Sequence, residues 1–246
     1  MIKLYVADIA VLEKEEACLN CYGMLDRTRQ ECVQSYKNEV DKKRSLLAGY
    51  LIQVGVMEYN SMKESGLHNN AAPLSLAYSY GENGKPYLAD YPGLFFNLSH
   101  SGNFVATAFS SEEIGLDIQE HEGEKDGIAK RFFSAEDNSL LDRCKMGETG
   151  ISKDDMFYRM WSVKEASMKL TGLGMADGMD KAYLEFMKWN EYTQGKIKEK
   201  AATKHPLAVS REIYFRLVDF AEGYSMAVCS YSKIDNLQRC EVKIDF

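Results

Sequence analysis

Apolar and polar positions alternate from the first residue. Met1-Ile-Lys-Leu-Tyr-Val6 has the period of a strand, which reads to Ile9. Leu12 to Gln34 is charged and helical. Val40 to Tyr59 reads as a stronger helix, with Val40, Leu47, Tyr50, Leu51 and Val54 as its apolar stripe. Its first turn holds Asp41, Lys42, Lys43 and Arg44, and cations there oppose the helix dipole. They are either solvent-exposed or face an anionic ligand. Asn60 to Pro73 is a polar loop, and Gly81 to Lys85 is turn-rich, with Lys85-Pro86 starting an extended segment. Leu94 to Leu98 and Asn103 to Ser110 read as two strands of a hairpin turning through Ser99-His100-Ser101-Gly102.

Glu113 to Glu120 is the next strand. It sets Ile114, Leu116 and Ile118 on one face and Gly115, Asp117 and Gln119 on the other. A carboxylate in so apolar a strand is unfavourable unless it is paired, binds a metal, or lies on an edge whose polar face meets water. Asp126 to Phe133 is a short helix, and Ser134 caps a second one running to about Cys144. A longer helix carries Phe157 to Leu170. Asp154 or Asp155 caps it, and Gly172 and Gly174 end it. Trp161, Glu165 and Lys169 follow one another at four-residue spacing and share a face. An isolated acid–base pair at that spacing is an ordinary surface ion pair worth about 0.3–0.5 kcal/mol. Trp189 to Pro206 is Lys-rich, a hairpin excursion or mobile loop. Glu212 to Val218, Gly223 to Ser230 and Arg239 to Phe246 alternate as strands. A weak internal echo links the segments ending at Ile9 and Ile118, each followed late in its half by a strand.

Composition narrows the classes. The 246 residues are 45% hydrophobic, enough for one large or two small cored domains. A net charge of −7 argues against a generic nucleic-acid binder. Neither a signal peptide nor an apolar run of membrane-spanning length is present in the sequence, so a cytoplasmic protein is expected. The six scattered cysteines then read as reduced thiols. Cys18 and Cys21 have metal-knuckle spacing, but no second pair follows. The four histidines show no metal spacing among themselves.

Gly84-Lys85-Pro86, Asn97-Leu-Ser99-His100-Ser101, Ile114-Gly-Leu-Asp117-Ile118, Phe133-Ser-Ala-Glu136 and Trp161-Ser-Val-Lys164-Glu165-Ala-Ser-Met-Lys169 together resemble the 4′-phosphopantetheinyl transferase superfamily, in its monomeric two-lobed type. These motifs cover roughly the central third of the chain. The aspartate motif paired with Trp-x-x-Lys-Glu-x-x-x-Lys is the specific part. The resemblance implies an α+β fold of two similar pseudo-symmetric lobes, each an antiparallel sheet packed with helices, residues 1–112 and 113–246, with a ligand cleft between them. It implies transfer of the phosphopantetheine arm of coenzyme A to a serine of an acyl or peptidyl carrier protein, releasing 3′,5′-ADP. It further implies a monomer that takes no nucleic acid and no membrane. Coenzyme A contacts carry over to Arg44, Lys85, Pro86, Ser99 and His100. Arg44 and His100 are directed at the 3′-phosphate, with Lys42 and Lys43 adding to the basic patch.

The chemistry of the residues agrees. A pyrophosphate calls for a hard cation, and Mg²⁺ takes a few carboxylates plus phosphate oxygens and water. Asp117 and Glu165 are the expected ligands, and Glu165 doubles as the base that takes the serine proton. Lys169 serves the leaving phosphate, and Lys164 reaches a phosphate from the side. Gln119 stands where the family often has a further acid, so it enters the metal set as a neutral member. Two rival readings use the same residues. One is a Mg²⁺-dependent hydrolase of coenzyme A or another pyrophosphate, and the other a non-catalytic nucleotide-binding module.

Overall fold

The structure, a computed structural model, describes residues 1–63, 73–81, 83–123, 125–172, 180, 182–186, 193–199, 212–240, 242 and 244. In chain order the elements are β1 (Ile2–Asp8), α1 (Glu15–Gly23), α2 (Arg27–Ser35), α3 (Glu39–Lys63), β2 (Tyr78–Tyr80), β3 (Pro86–Leu88), β4 (Phe95–Ser101), β5 (Phe104–Ser110), β6 (Ile114–Glu120), α4 (Asp126–Phe132), α5 (Ala135–Lys145), α6 (Lys153–Thr171), β7 (Ala182–Phe186), β8 (Gln194–Glu199), β9 (Ile213–Leu217), β10 (Tyr224–Ser230) and β11 (Leu237–Cys240). This is an α+β fold with antiparallel-rich sheets. No helix among the described residues is long and apolar enough to cross a membrane.

The chain divides into two compact units. One comprises Met1–Ser79, Pro86–Ser111 and Leu237–Phe246; the other comprises Tyr80–Lys85 and Glu112–Asn236. The first unit is a four-stranded sheet in the order β11-β1-β5-β4, in which only the β1–β11 pair is parallel. Helix α3 lies on it. A Cβ at Gly55 would stand 2.0 Å from the Phe109 ring, so glycine is what lets the helix approach β5. Tyr5, Leu47, Leu51, Val56, Phe96 and Phe109 form the centre of this core. Arg29 of α2 donates to the carbonyl oxygen of Ser45 at 2.9 Å and to its hydroxyl at 3.1 Å, tying α2 to α3.

Several boundaries differ from those read in the sequence. The charged region 12–34 breaks into α1 and α2 because Asp26 caps a new helix, accepting from the Arg29 N–H at 2.9 Å. Helix α3 continues to Lys63, past the expected start of the loop at Asn60. Two of its early cations are compensated within one turn: Lys42 pairs with Glu39 and Arg44 with Asp41. Strand β4 runs through Ser99 and His100 to Ser101, so the hairpin turn falls at Gly102, with φ 52°, and Asn103. Among the described residues the final strand is β11; of the expected strand Arg239–Phe246, residues 241, 243, 245 and 246 lie outside the described residues.

The second unit is a five-stranded antiparallel sheet in the order β6-β10-β9-β8-β7. Its long helix α6 packs across β6 and β10. Met156, Phe157, Met160, Val163, Ala166 and Leu170 recur every three or four residues and fill the core with Phe133, Phe215 and Cys229. Ser152 rather than Asp154 or Asp155 caps α6, accepting from the Asp155 N–H at 3.0 Å, which leaves both aspartates in the first turn. Gly172, φ 70°, ends it. Ser134 and Asp137 form a complete capping box on α5. Of the Lys-rich stretch Trp189–Pro206, only 193–199 is described, and it contains β8; Gly174 and the rest of that stretch lie outside the described residues.

Candidate active site

The site is built where β6 meets α6. Strand β6 lies at an edge of its sheet beside β10. An edge aspartate can simply meet water, yet Asp117 is 3% exposed. Helix α6 covers it, and Gly115 makes the cover possible. A Cβ there would stand 1.9 Å from the backbone oxygen of Ala166 and 2.6 Å from the backbone nitrogen of Leu170. The residue type at 115 therefore sets how closely the strand bearing Asp117 approaches the helix bearing Glu165 and Lys169. Ile114, Leu116 and Ile118, on the opposite face of β6, are fully buried.

At this junction Lys169 Nζ donates to Asp117 Oδ1 at 2.7 Å, and Gln119 Nε2 donates to Asp117 Oδ2 at 2.6 Å. Both oxygens of the buried carboxylate are thus held. Glu165, one turn before Lys169, makes no hydrogen bond through its carboxyl among the described residues. Burial pushes its pKa up to about 7; the negative charge of Asp117 adds to the rise and the Lys169 ammonium opposes it. The charge of Asp117 thus disfavours ionisation of Glu165, and the Lys169 ammonium held on Asp117 partly offsets it. Trp161, one turn further back, stacks on Phe157 with ring centroids 6.2 Å apart and closes the same helix face with Phe132 and Phe133.

Among the described residues no group of three or more His, Cys, Asp or Glu is close enough to hold a metal ion. The donor set is smaller: two carboxylates and an amide. That set suits Mg²⁺, which keeps water and substrate oxygens in most of its positions.

Two of the expected coenzyme A contacts are engaged elsewhere. Lys164, 4% exposed, pairs with Asp137 Oδ2 at 2.8 Å and donates to the Ala182 carbonyl at 2.8 Å. Asp137 in turn accepts from the Leu184 N–H at 3.0 Å. Adjacent positions on a helix point about 100° apart, and this turns Lys164 into the core behind Glu165. Lys85 is likewise buried: it meets Glu113 at 2.5 Å and the Leu170 carbonyl at 2.9 Å, a cation at the C-terminal end of α6. Asn83 adds a bond to the Gly172 carbonyl at 2.7 Å. Asp137 and Glu113 were not singled out in the sequence. Nothing local in the sequence pointed from Asp137 to its lysine.

The remaining contacts sit in the first unit. Arg44 donates through Nε at 3.0 Å and Nη2 at 2.6 Å to the Gly102 carbonyl, at the turn that follows Ser99 and His100. Ser99 is buried on β4 and His100 is exposed. Pro86 begins β3.

A buried strand carboxylate held by a helix lysine stands beside a second carboxylate whose pKa is raised to about 7. The sequence model of the 4′-phosphopantetheinyl transferase superfamily matches residues 113–229, the span that carries all of these groups. The relative Sfp of Bacillus subtilis strain 168, a 4′-phosphopantetheinyl transferase, is 31% identical over 203 residues, covering 82% of this chain and 80% of its own. The Bacillus subtilis 4′-phosphopantetheinyl transferase ffp is 30% identical over 202 residues with the same coverage. The enzyme gsp of Aneurinibacillus migulanus is 25% identical over 221 residues, 89% of this chain and 82% of its own. The chain belongs to the 4′-phosphopantetheinyl transferase superfamily.

Proposed function

We propose that the chain transfers the 4′-phosphopantetheine arm of coenzyme A to a serine of an acyl or peptidyl carrier protein, with Mg²⁺, releasing 3′,5′-ADP. The observation that carries this reading is the Asp117–Glu165–Lys169 constellation within a family member. Asp117 and Glu165 would hold the cation, and Gln119 keeps Asp117 turned toward it. When bound, Mg²⁺ supplies positive charge to the bridging phosphates. Glu165 takes the proton from the carrier serine, directly or through water, as the serine oxygen attacks the β-phosphorus. Lys169 Nζ offers its charge to the departing 3′,5′-ADP. Arg44 and His100 bind the 3′-phosphate through charge-assisted hydrogen bonds, with Ser99 and Pro86 beside the nucleotide. Lys85 and Lys164, the other expected contacts, have their ammonium groups on Glu113 and Asp137 and on backbone carbonyls. Arg44 likewise has its guanidinium on Asp41 and the Gly102 carbonyl, and each would exchange such a partner for a phosphate. The six free thiols suit a reducing compartment, which supports a cytoplasmic setting. A monomer is the proposed state.

The test is intact-mass spectrometry of an apo carrier protein incubated with the chain, coenzyme A and Mg²⁺. Transfer adds the phosphopantetheine mass to the carrier. Consumption of coenzyme A without a carrier would make the chain a hydrolase, and no change in either would make it a binding module. Either of those results overturns the proposal.

A further inference from the structure

A second constellation lies in the same unit, around a pocket of about 200 Å³ that none of Asp117, Gln119, Glu165 and Lys169 lines. His121 follows β6. Its Nε2 stands 2.9 Å from the hydroxyl of Ser225 on β10, and its Nδ1 stands 3.3 Å from Asp155 Oδ1 in the first turn of α6. With the Nδ1 proton directed at Asp155, Nε2 is the acceptor for the serine proton. The ring is held in place: it stacks on Tyr158 at 4.5 Å and 13°. The Tyr158 hydroxyl accepts from the Glu122 N–H at 2.8 Å and donates to the Gly123 carbonyl at 3.1 Å, fixing the segment that carries the histidine. Hydroxyl, imidazole and carboxylate thus follow one another in hydrogen-bonding order, each from a different element. That is the order in which an imidazole activates a serine while a carboxylate holds its tautomer.

The surroundings fit a small substrate. Ser225, His121 and Asp155 line the pocket together with Leu217 and Ala221, whose apolar side chains suit a short acyl group such as acetyl. Arg159, one turn after Asp155, also lines it, and among the described residues its guanidinium has no hydrogen-bond or ion-pair partner. A cation without a partner beside an activated hydroxyl is a donor for the oxyanion that forms when the hydroxyl adds to a carbonyl.

We propose that Ser225 is a nucleophile and that this pocket is a second catalytic site, for short-chain carboxylic esters. The Ser225 oxygen adds to the ester carbonyl while its proton passes to His121 Nε2. The tetrahedral adduct collapses, the bond to the alcohol oxygen breaks, and Nε2 returns the proton to that alcohol. Water then attacks the acyl-serine by the same route, releasing the carboxylic acid and restoring the hydroxyl. The ester and water are the only reactants.

The site is independent of phosphopantetheine transfer, and so is its test. The full chain is treated with a fluorophosphonate probe, digested and mapped by mass spectrometry, and its hydrolysis of p-nitrophenyl acetate and butyrate is followed in parallel. The expected result is one adduct, on Ser225, that is absent in Ser225→Ala. Labelling and hydrolysis slow by at least ~10²-fold in His121→Ala and by at least about tenfold in Asp155→Asn. No adduct on Ser225 in the wild-type chain overturns the proposal. An adduct that forms as fast in His121→Ala, with a wild-type circular dichroism spectrum, overturns it equally. Because the wild-type labelling is decisive on its own, a variant that fails to fold does not shield the idea.

Discussion

At the scale of single residues, the proposed transfer depends on two carboxylates. Asp117→Ala and Glu165→Ala should each lower the rate of transfer by at least ~10²–10⁴, with circular dichroism unchanged. Near wild-type turnover of either variant at saturating Mg²⁺ would sink the assignment. Glu165 also predicts a pH-dependent stability. Its folded pKa is raised to about 7 from 4.5, so its contribution is fully present below the unfolded value and is lost as pH rises through the folded one. Glu165→Gln, which cannot ionise, escapes that loss. In chelator, the melting temperature of Glu165→Gln relative to wild type should therefore be higher at pH 8 than at pH 5. An equal difference at the two pH values would mean that Glu165 titrates as an ordinary surface carboxyl. Gln119 donates to Asp117 Oδ2 and adds no charge. Gln119→Glu should lower the Mg²⁺ concentration for half-maximal activity a fewfold, about 1 kcal/mol or less where tenfold is ~1.4 kcal/mol. Superimposable Mg²⁺ titrations would remove residue 119 from the neighbourhood of the cation.

At the scale of elements, the decisive contact is β6 against α6. Gly115 permits it, since an added Cβ would collide with helix backbone at Ala166 and Leu170, which cannot rotate aside. Gly115→Ala should destabilise the chain by ~1–3 kcal/mol or more and reduce transfer beyond the loss of folded protein, because the helix must retreat from Asp117. Urea denaturation alongside specific activity per folded molecule checks this. Retained activity with only lost stability would show that the strand–helix distance is not what assembles the site. The rotation of α6 about its axis has its own anchor in Lys164, whose pairing with Asp137 and Ala182 sets Glu165 toward β6. The motif Trp-x-x-Lys-Glu-x-x-x-Lys thus contains one lysine that meets Asp117 and one that holds the helix.

At the scale of the whole molecule, the chain's last strand returns to its first. β11 pairs in parallel with β1, Ile2 with Leu237 through Tyr5 with Cys240, in the sheet of the first unit. Removing Leu237–Phe246 leaves that side of β1 without its ladder partner. Amide exchange of residues 2–5 should accelerate by at least about tenfold in the truncated chain, while the amides of β9 and β10 should keep their protection. Uniform acceleration across both units would mean that they unfold as one. The sequence by itself determined the secondary structure of most elements, because periods of two and of three to four survive without knowledge of the neighbours. Its periods put Asp117 on one strand face and Glu165 and Lys169 on one helix face, and the family resemblance is what joined the two faces into one expected site. Only the tertiary structure decided that Asp117 is buried rather than meeting water at an edge, since the covering helix comes from a segment some forty residues on. It alone decided that Lys85 and Lys164 point inward. A lysine reads in sequence as a charge seeking an anion, and whether that anion is a substrate phosphate or a carboxylate of the chain depends on which distant residue the fold brings beside it. The same reason hid Ser225, His121 and Asp155. Separated by tens of residues and lacking a local motif, they meet only because β6, β10 and α6 pack together.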